Sequence, residues 1–414
     1  MKRIATLLTI MLLGYYSGIA QVQYKVDSVR LSNQLVGLSA AVIKDGKVSA
    51  TFSSGVRDVS RNLLVDDSTM FRVASISKLV TSTGLMLLYD RNLFKLDDDV
   101  SQYLGFKLRN PNFPDVPITF RMLLSHTASL NDGSGYGDFL AANYSATGEL
   151  PSLGDLVLKA GRYYSSDMWL DKKPGTYFCY CNANFGVIAT LIEKLSGKRF
   201  DLFMEDELFK PLGVKARYNV ARIENIDNLA AIYRYKDGWM PQVDACQGVK
   251  PQQRNLEDYE VGTNGFLYSP QGGLRTSAAD LAKLMLLHIN NGMVGKYVVI
   301  RSKTIKLMRT PQWIFNGANG DTSNGLFMSW GLGMQLVTNT PKHDYMYANL
   351  PMFGHAGDAY GLISGFYFNP SKKIGIIYMA NGARNGYEQG ERSAYYRFEE
   401  QLFEMLIPLA LASK

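Results

Sequence analysis

The tightest constraint on how this chain can fold is the placement of its apolar runs: strand-like segments stand at both ends, and helix-like segments fill the middle. Near the start, Leu35 to Ile43 and Val48 to Phe52 flank Lys44-Asp45-Gly46-Lys47. An Asp-Gly pair between two apolar runs predicts a tight antiparallel hairpin. Near the end, Leu362 to Phe368 and Ile374 to Ala380 flank Asn369-Pro370-Ser371-Lys372-Lys373, a second hairpin signal. Between them the period changes. Leu79, Leu85, Met86 and Leu88 recur at helical spacing after Ser75, and Met122-Leu123-Leu124 forms a short apolar stretch. Phe185, Ile188, Leu191, Ile192 and Leu195 share one face of a segment that stops at Ser196-Gly197. Further helices are expected from Asp201 to Phe209, ended by Pro211 and Gly213, from Ala278 to Ile289, and from Ala394 to Leu409. Hairpins at both ends share one sheet only if the chain returns to where it began. The expected fold is therefore α/β (α+β): a central antiparallel sheet flanked by helices, with an all-helical subdomain inserted into it. Its sheet part covers about 21–70 and 265–414 and its helical part about 75–260.

The chain is large enough for such a core: 414 residues, 46% hydrophobic and 20% charged, exclude a disordered or disulfide-stapled protein. Only Cys179, Cys181 and Cys246 are present, too few for a disulfide framework. The formal charge of +7 is spread along the chain without a basic block or an aromatic-interleaved basic stripe, so no nucleic-acid partner is expected. Two of the positive charges, Lys2 and Arg3, precede the apolar run Ile4 to Gly14, and Gly18-Ile19-Ala20 supplies small residues. This layout predicts a secretory signal peptide over residues 1–20, cleaved near Ala20-Gln21, and one domain over 21–414. The run falls short of the roughly 18 residues of a membrane anchor, and no cysteine follows it for a lipid. The expected location is periplasmic or secreted, with no stable membrane anchor after cleavage; oligomeric state is not legible.

Among signatures with a known mechanism, G-x-S-x-G, Walker A, G-x-G-x-x-G, H-E-x-x-H and EF-hand patterns are missing, and His126, His288, His343 and His355 are scattered. No metal and no organic cofactor is expected. The sharp hit is Ser75-Ile76-Ser77-Lys78, the only S-x-x-K. Residues three apart share a helix face, so the Lys78 amine can reach the Ser75 hydroxyl. A serine at a helix N-terminus also faces the positive end of the dipole, where developing negative charge is stabilised. The same tetrad fits an ordinary N-cap serine followed by a surface lysine.

Its surroundings decide. Phe71-Arg72-Val73-Ala74-Ser75-Ile76-Ser77-Lys78, then Gly84 to Leu88 and Lys95-Leu96-Asp97-Asp98-Asp99-Val100, resemble the serine β-lactamase and penicillin-binding protein superfamily. Within it the chain is most similar to the branch of class C β-lactamases, related serine esterases and D,D-carboxypeptidases. Leu123-Leu124-Ser125-His126-Thr127 and Gly272-Gly273-Leu274-Arg275-Thr276-Ser277-Ala278 resemble two further landmarks, and the resemblance spans roughly residues 35 to 405. It implies a β-lactamase/transpeptidase-like fold with Ser75 as nucleophile and Lys78 as its activating base. The family's second motif is Tyr-x-Asn, present here at Tyr180-Cys181-Asn182, Tyr347-Ala348-Asn349 and Tyr367-Phe368-Asn369. Only the first lies in a Pro-Gly-led loop feeding a helix, so Tyr180 and Asn182 are the match. Tyr180 is expected as a proton acceptor whose pKa a neighbouring lysine lowers, and Asn182 as a holder of Lys78 or of the substrate carbonyl. The third motif, Lys-Thr-Gly or His-x-Gly, is matched only by His355-Ala356-Gly357. His355 and Gly357 are then substrate-binding positions, Gly357 allowing close approach, and the N–H groups of Ser75 and Asp358 form the oxyanion hole. His126 is expected to be structural. Tyr136, Phe139, Tyr144, Tyr163, Tyr164 and Trp169 fit a cleft wall or helical packing equally well, and Cys179 and Cys181 bracket Tyr180 where oxidation would perturb it.

The expected reaction is acylation of Ser75 by a small-molecule or peptide substrate with an ester or amide carbonyl, released to water or to an alcohol or amine acceptor. A histidine at the third motif, mostly neutral at pH 7, is a weak clamp for a substrate carboxylate. It tilts the expectation from β-lactams and D-Ala-D-Ala ends toward esters, amides and D-amino-acid peptides. A β-lactamase or D-Ala-D-Ala carboxypeptidase of the cell envelope is the alternative enzyme. A sensor that is acylated without turnover is the alternative of another class.

Overall fold

The computed structural model describes residues 20–412, so the expected leader lies outside the described residues except for Ala20. A helix over residues 20–32 (α1) opens the described chain. The Asp-Gly turn follows from its residues: Asp45 and Gly46 take φ of 53° and 71°, the left-handed pair that a two-residue hairpin needs. It folds β1 (Gly37–Lys44) back on β2 (Lys47–Asp58). The second expected hairpin joins β4 (Leu362–Asn369) to β5 (Ile374–Ala380) and is itself preceded by β3 (Met352–Ala359). β5 pairs with β1 in the register Leu38↔Ala380 to Ile43↔Gly375, so the two ends of the chain meet in mid-sheet. The sheet is antiparallel and nine-stranded, ordered 313–314, 329–330, 335–337, β3, β4, β5, β1, β2, 63–64.

Alternation along the strands gives the sheet two apolar faces. Leu38, Ala40 and Val42 of β1, with Ile376 and Tyr378 of β5, pack under the closing helix Arg397–Leu411 through its Phe398, Leu402, Phe403, Leu406 and Ile407; Val26 of α1 joins this layer. Ala41 and Ile43, with Phe366, Phe368, Ile377 and Met379, face the larger core, which holds α2 (Ile76–Asp90), α3 (Ala183–Ser196) and α4 (Ala278–Ile289). The molecule is thus a sheet between helical layers, the helical segments of residues 101–212 enlarging one of them.

Three differences from the sequence reading have local causes. α2 is buried from Ile76 to Leu88 on every side rather than along one stripe, because it runs between the sheet and the helical region. The helix expected to end at Phe209 continues to Leu212 by widening into a π-turn over Glu205–Phe209, which makes room for the ring of Pro211 one turn later. The closing helix starts three residues late, at Arg397, because the Glu399 carboxylate accepts the Tyr396 N–H at 2.9 Å and fixes the helix start there.

Candidate active site

Ser75 sits at the mouth of α2, where the chain is forced into position. Ala74 adopts φ of +45°, a left-handed conformation uncommon for alanine, and Ser75 follows as the N-cap with φ of −68°. Phe71–Arg72 pairs with Arg275–Thr276, Leu274 O accepts the Val73 N–H at 2.9 Å, and Leu274 N–H donates to Ser77 Oγ at 3.1 Å. The segment around Gly272-Gly273-Leu274 therefore clasps the start of α2.

Lys78, one turn along, is fully buried. Its ammonium donates to Ser75 Oγ at 3.0 Å, Asn182 Oδ1 at 2.7 Å and Gln271 O at 2.9 Å, one acceptor for each proton. Burial pulls its pKa down to about 7, although the charge of Asp132 favours the ammonium. The surface lysine that the tetrad alone allows is excluded.

Asn182 is oriented from both sides. Its Oδ1 faces the ammonium, and its Nδ2 donates to Asp132 Oδ2 at 2.7 Å, so the amide fits only one way round. Asp132 Oδ1 also accepts the Ala183 N–H at 2.9 Å, capping α3 where the helix dipole favours a carboxylate. Asp132 is the positioning residue that the sequence does not announce: Asn131-Asp132-Gly133 reads as a loop, and nothing local ties it to residues fifty positions away.

Tyr180 lies with its hydroxyl 3.5 Å from His355 Nε2, on the Ser75 side of the site, and its ring 4.9 Å from the Lys78 nitrogen. The ring is sandwiched between His126 (4.5 Å) and Phe327 (5.1 Å). Here an expectation is corrected: the phenol is pushed well above its ordinary pKa, because burial outweighs the hydrogen bond from Ser75. Of the two groups beside Ser75, Lys78 is the one that can be neutral and basic near pH 7.

His355 is buried on β3, with Nδ1 on the Ala356 carbonyl at 2.5 Å and Nε2 3.5 Å from the Tyr180 hydroxyl. Burial and the Lys78 charge depress its pKa to about 3, so it stands beside the site as a neutral ring. Only the first residues of β3 pair with 335–337, leaving its second half with an open edge. The two-residue turn Tyr360-Gly361 closes the β3–β4 ladder at Ala359↔Leu362, and the alternation of antiparallel hydrogen bonds then turns the N–H groups of Ala356 and Asp358 toward that edge. The Asp358 carboxylate takes no part there; it accepts from Tyr396 Oη at 2.8 Å. Gly357 is required by the protein itself, since a Cβ would lie 2.7 Å from Val73 O and 2.3 Å from Ser364 Oγ. Ser364 Oγ donates to that same Val73 carbonyl at 3.0 Å, fastening the sheet to the segment before Ser75.

The structure thus gathers Ser75, Lys78, Tyr180, Asn182 and His355 from distant parts of the chain. Tyr367 of the unused Tyr-x-Asn triplet at 367–369 belongs to the core on the far face of the sheet. His126 accepts the Cys181 N–H at 3.0 Å and carries the Tyr180 ring, a structural part in keeping with its expected role. The expected oxidation sensitivity has no basis in the geometry: Cys181 is buried with its thiol pushed well above its ordinary pKa, and Cys179 is pushed up to about 11, so neither forms a reactive thiolate at neutral pH. Of the aromatics between the motifs, Tyr136, Phe139 and Trp169 are core residues, whereas Tyr144 lines a cavity. Among the described residues no cluster of three metal-ligating side chains is found, and no helix is long and apolar enough to cross a membrane.

The chain is 25% identical over 362 residues to penicillin-binding protein 4 of Amycolatopsis lactamdurans, covering 87% of this chain and 84% of that protein. It is 29% identical over 190 residues to the D-alanyl-D-alanine-carboxypeptidase/endopeptidase AmpH of Escherichia coli (strain K12), covering 46% of each, so that match spans less than half of either protein. In structure it is similar to the D-amino acid amidase of Ochrobactrum anthropi SV3 in complex with D-phenylalanine, with a TM-score of 0.68, 18% identity, and 94% and 98% of the two chains covered. The Beta-lactamase family model matches residues 20–398, and the chain belongs to that family of serine hydrolases.

Proposed function

We propose that the protein is a secreted or periplasmic hydrolase that forms an acyl-enzyme on Ser75 from an ester or amide. The observation that carries this reading is the Lys78 amine, dry, held on three acceptors and 3.0 Å from the Ser75 hydroxyl. Neutral Lys78 takes the Ser75 proton as Oγ attacks the carbonyl carbon. The carbonyl oxygen becomes an oxyanion facing the N–H groups of Ser75 and Asp358. As the tetrahedral intermediate collapses, the bond to the leaving group breaks and the proton returns to the leaving atom through the Tyr180 hydroxyl. Water, or an alcohol or amine acceptor, then attacks the acyl-enzyme by the same route in reverse. Asn182 fixes the lysine, and Tyr180 acts as a relay because its own pKa is too high for a base.

The neutral His355 supplies no cation for a substrate carboxylate at the third motif, which supports esters, amides and D-amino-acid peptides over β-lactams and D-Ala-D-Ala ends. The amidase named among the similar proteins acts on such a bond by its own description, whereas the D-alanyl-D-alanine-carboxypeptidase/endopeptidase favours the alternative enzyme. Location outside the cytoplasm rests on the leader-like sequence over residues 1–20.

The test is intact-mass detection of adducts, with product release followed in parallel, across esters, N-acyl amides, D-Ala-D-Ala peptides, β-lactams and a fluorophosphonate. The expected result is a Ser75 adduct that turns over with esters or amides. Ser75→Ala is expected to lose the adduct and at least about 10⁴-fold in rate; adducts retained in that variant would place the nucleophile elsewhere. Efficient cephalosporin turnover without ester turnover would replace this reading by a β-lactamase, and adducts that form but never release would replace it by a sensor.

A further inference from the structure

A cavity of about 380 Å³ reaches the strand that leads into Ser75 at Arg72, and its charged lining consists of Arg72, Arg254, Arg275 and Asp244. Three positive charges against one negative make it a basic recess. Two of the arginines are committed. Arg275 forms a two-pronged pair with Asp244 at 3.0 and 2.9 Å. Arg254 spends its nitrogens on the carbonyls of Ala142, Ser145, Thr147 and Gly148.

Arg72 is different. It is 7% exposed, and its Nε donates to Gly272 O at 2.8 Å while the guanidinium lies 5.0 Å from the centre of the Tyr360 ring. Among the described residues its two terminal nitrogens have no hydrogen-bond partner and no carboxylate pairs with it. The nearby Asp244 carboxylate is shared with Arg275, so a largely buried guanidinium is left with an incomplete counter-charge that a ligand anion would complete. A second donor points the same way: the Tyr144 hydroxyl accepts from Ser269 Oγ and from Gln271 Nε2, which leaves its own proton unspent. The recess is joined to the reaction centre by adjacent carbonyls, since Gly272 O holds Arg72 and Gln271 O holds Lys78. Arg72 stands three residues before Ser75, and Tyr360 two residues after Asp358.

Building on the acyl-enzyme reading, we propose that this cavity seats a carboxylate of the substrate, gripped by the two terminal nitrogens of Arg72 and by the Tyr144 hydroxyl. The paired N–H groups of a guanidinium match the two oxygens of a carboxylate. The enzyme then selects esters or amides that carry an anionic group able to reach this recess, a position apart from the third motif, since His355 does not line it.

The test uses two 4-nitrophenyl esters of adipic acid, one ending in a free carboxylate and one in a carboxamide, with Ser75 acylation read by mass and 4-nitrophenolate release by absorbance. The expected ratio of kcat/KM favours the carboxylate by about tenfold or more in the wild type, the yield of a charge-assisted contact. That ratio falls toward one in Arg72→Gln, part of the way in Tyr144→Phe, and in the wild type as KCl is raised, because salt screens the attraction. Equal use of the two esters, or a preference untouched by Arg72→Gln, overturns the inference. Should Arg72→Gln not fold, a wild-type ratio that stays flat in salt overturns it equally. Acylation of Ser75 by a fluorophosphonate separates the failures. Labelling with no carboxylate preference sinks the carboxylate site alone; absence of any Ser75 adduct sinks the acyl-enzyme reading with it.

Discussion

At Lys78 two forces of opposite sign are balanced. Burial disfavours the ammonium and Asp132 favours it, and the outcome is a pKa of about 7. If neutral Lys78 is the base, kcat/KM rises with pH through about 7 rather than near the 10.5 of a free lysine. Asp132→Asn removes the charge that favours the ammonium, so the rising limb moves to lower pH. Because the variant also loosens Asn182, the plateau rate is expected to fall by about ten- to a hundredfold, as for other groups that orient a catalytic residue. A pH–rate profile of wild type and variant reads both effects; a limb that stays in place separates Asp132 from the electrostatics of Lys78. Ser75 and Lys78 were legible in the sequence because a helix brings residues three apart together. Asp132 was not, since its relation to Asn182 exists only after the 131–133 loop has folded against α3.

Elements position the site by close approach, and β3 approaches closest. Gly357 leaves room for the Val73 carbonyl that Ser364 also binds. Gly357→Ala forces β3 and the turn before Ser75 apart, with an expected loss of about 1–3 kcal/mol, the usual cost of overpacking. Thermal unfolding and Ser75 labelling measure the two consequences; full labelling at an unchanged Tm would mean that the edge accommodates a methyl group without moving. The hairpins β1–β2 and β4–β5 were legible because turn chemistry and apolar runs coincide there. β3 was not: Met352-Phe353-Gly354-His355-Ala356-Gly357-Asp358-Ala359 contains two glycines and no β-branched residue, and its place in the sheet comes from β4 and from strand 335–337. The order of the motifs was readable, whereas the geometry that makes Tyr180 a poor base depends on the aromatic packing of His126 and Phe327 around it.

Over the whole molecule, stability is tied to pH by groups on opposite faces of the sheet. Glu399, buried on the sheet-facing side of the closing helix with the Tyr378 hydroxyl at 2.6 Å, has its pKa raised by burial from 4.5 to about 7. Between those values the folded protein keeps a proton that the unfolded chain has released, so this group makes stability fall as pH rises. Lys78 acts above that window: from about 7 to 10.5 the unfolded chain holds the extra proton, and stability rises with pH. Glu399→Gln is expected to gain on the order of 2 kcal/mol over wild type between pH 4.5 and pH 8, read from denaturation midpoints at both pH values. A constant difference between the two proteins would contradict the assignment. The meeting of β1 with β5 carries a consequence for biogenesis. Register Leu38↔Ala380 means that the middle of the sheet cannot close until nearly the last residues have been synthesised. His355 and the edge facing Ser75 lie on strands from that same late portion. A nascent or truncated chain that lacks these strands leaves Ser75 without the open β3 edge that it faces. The edge and the serine then meet only after β5 has paired with β1, which makes closure of the sheet the step that completes the site.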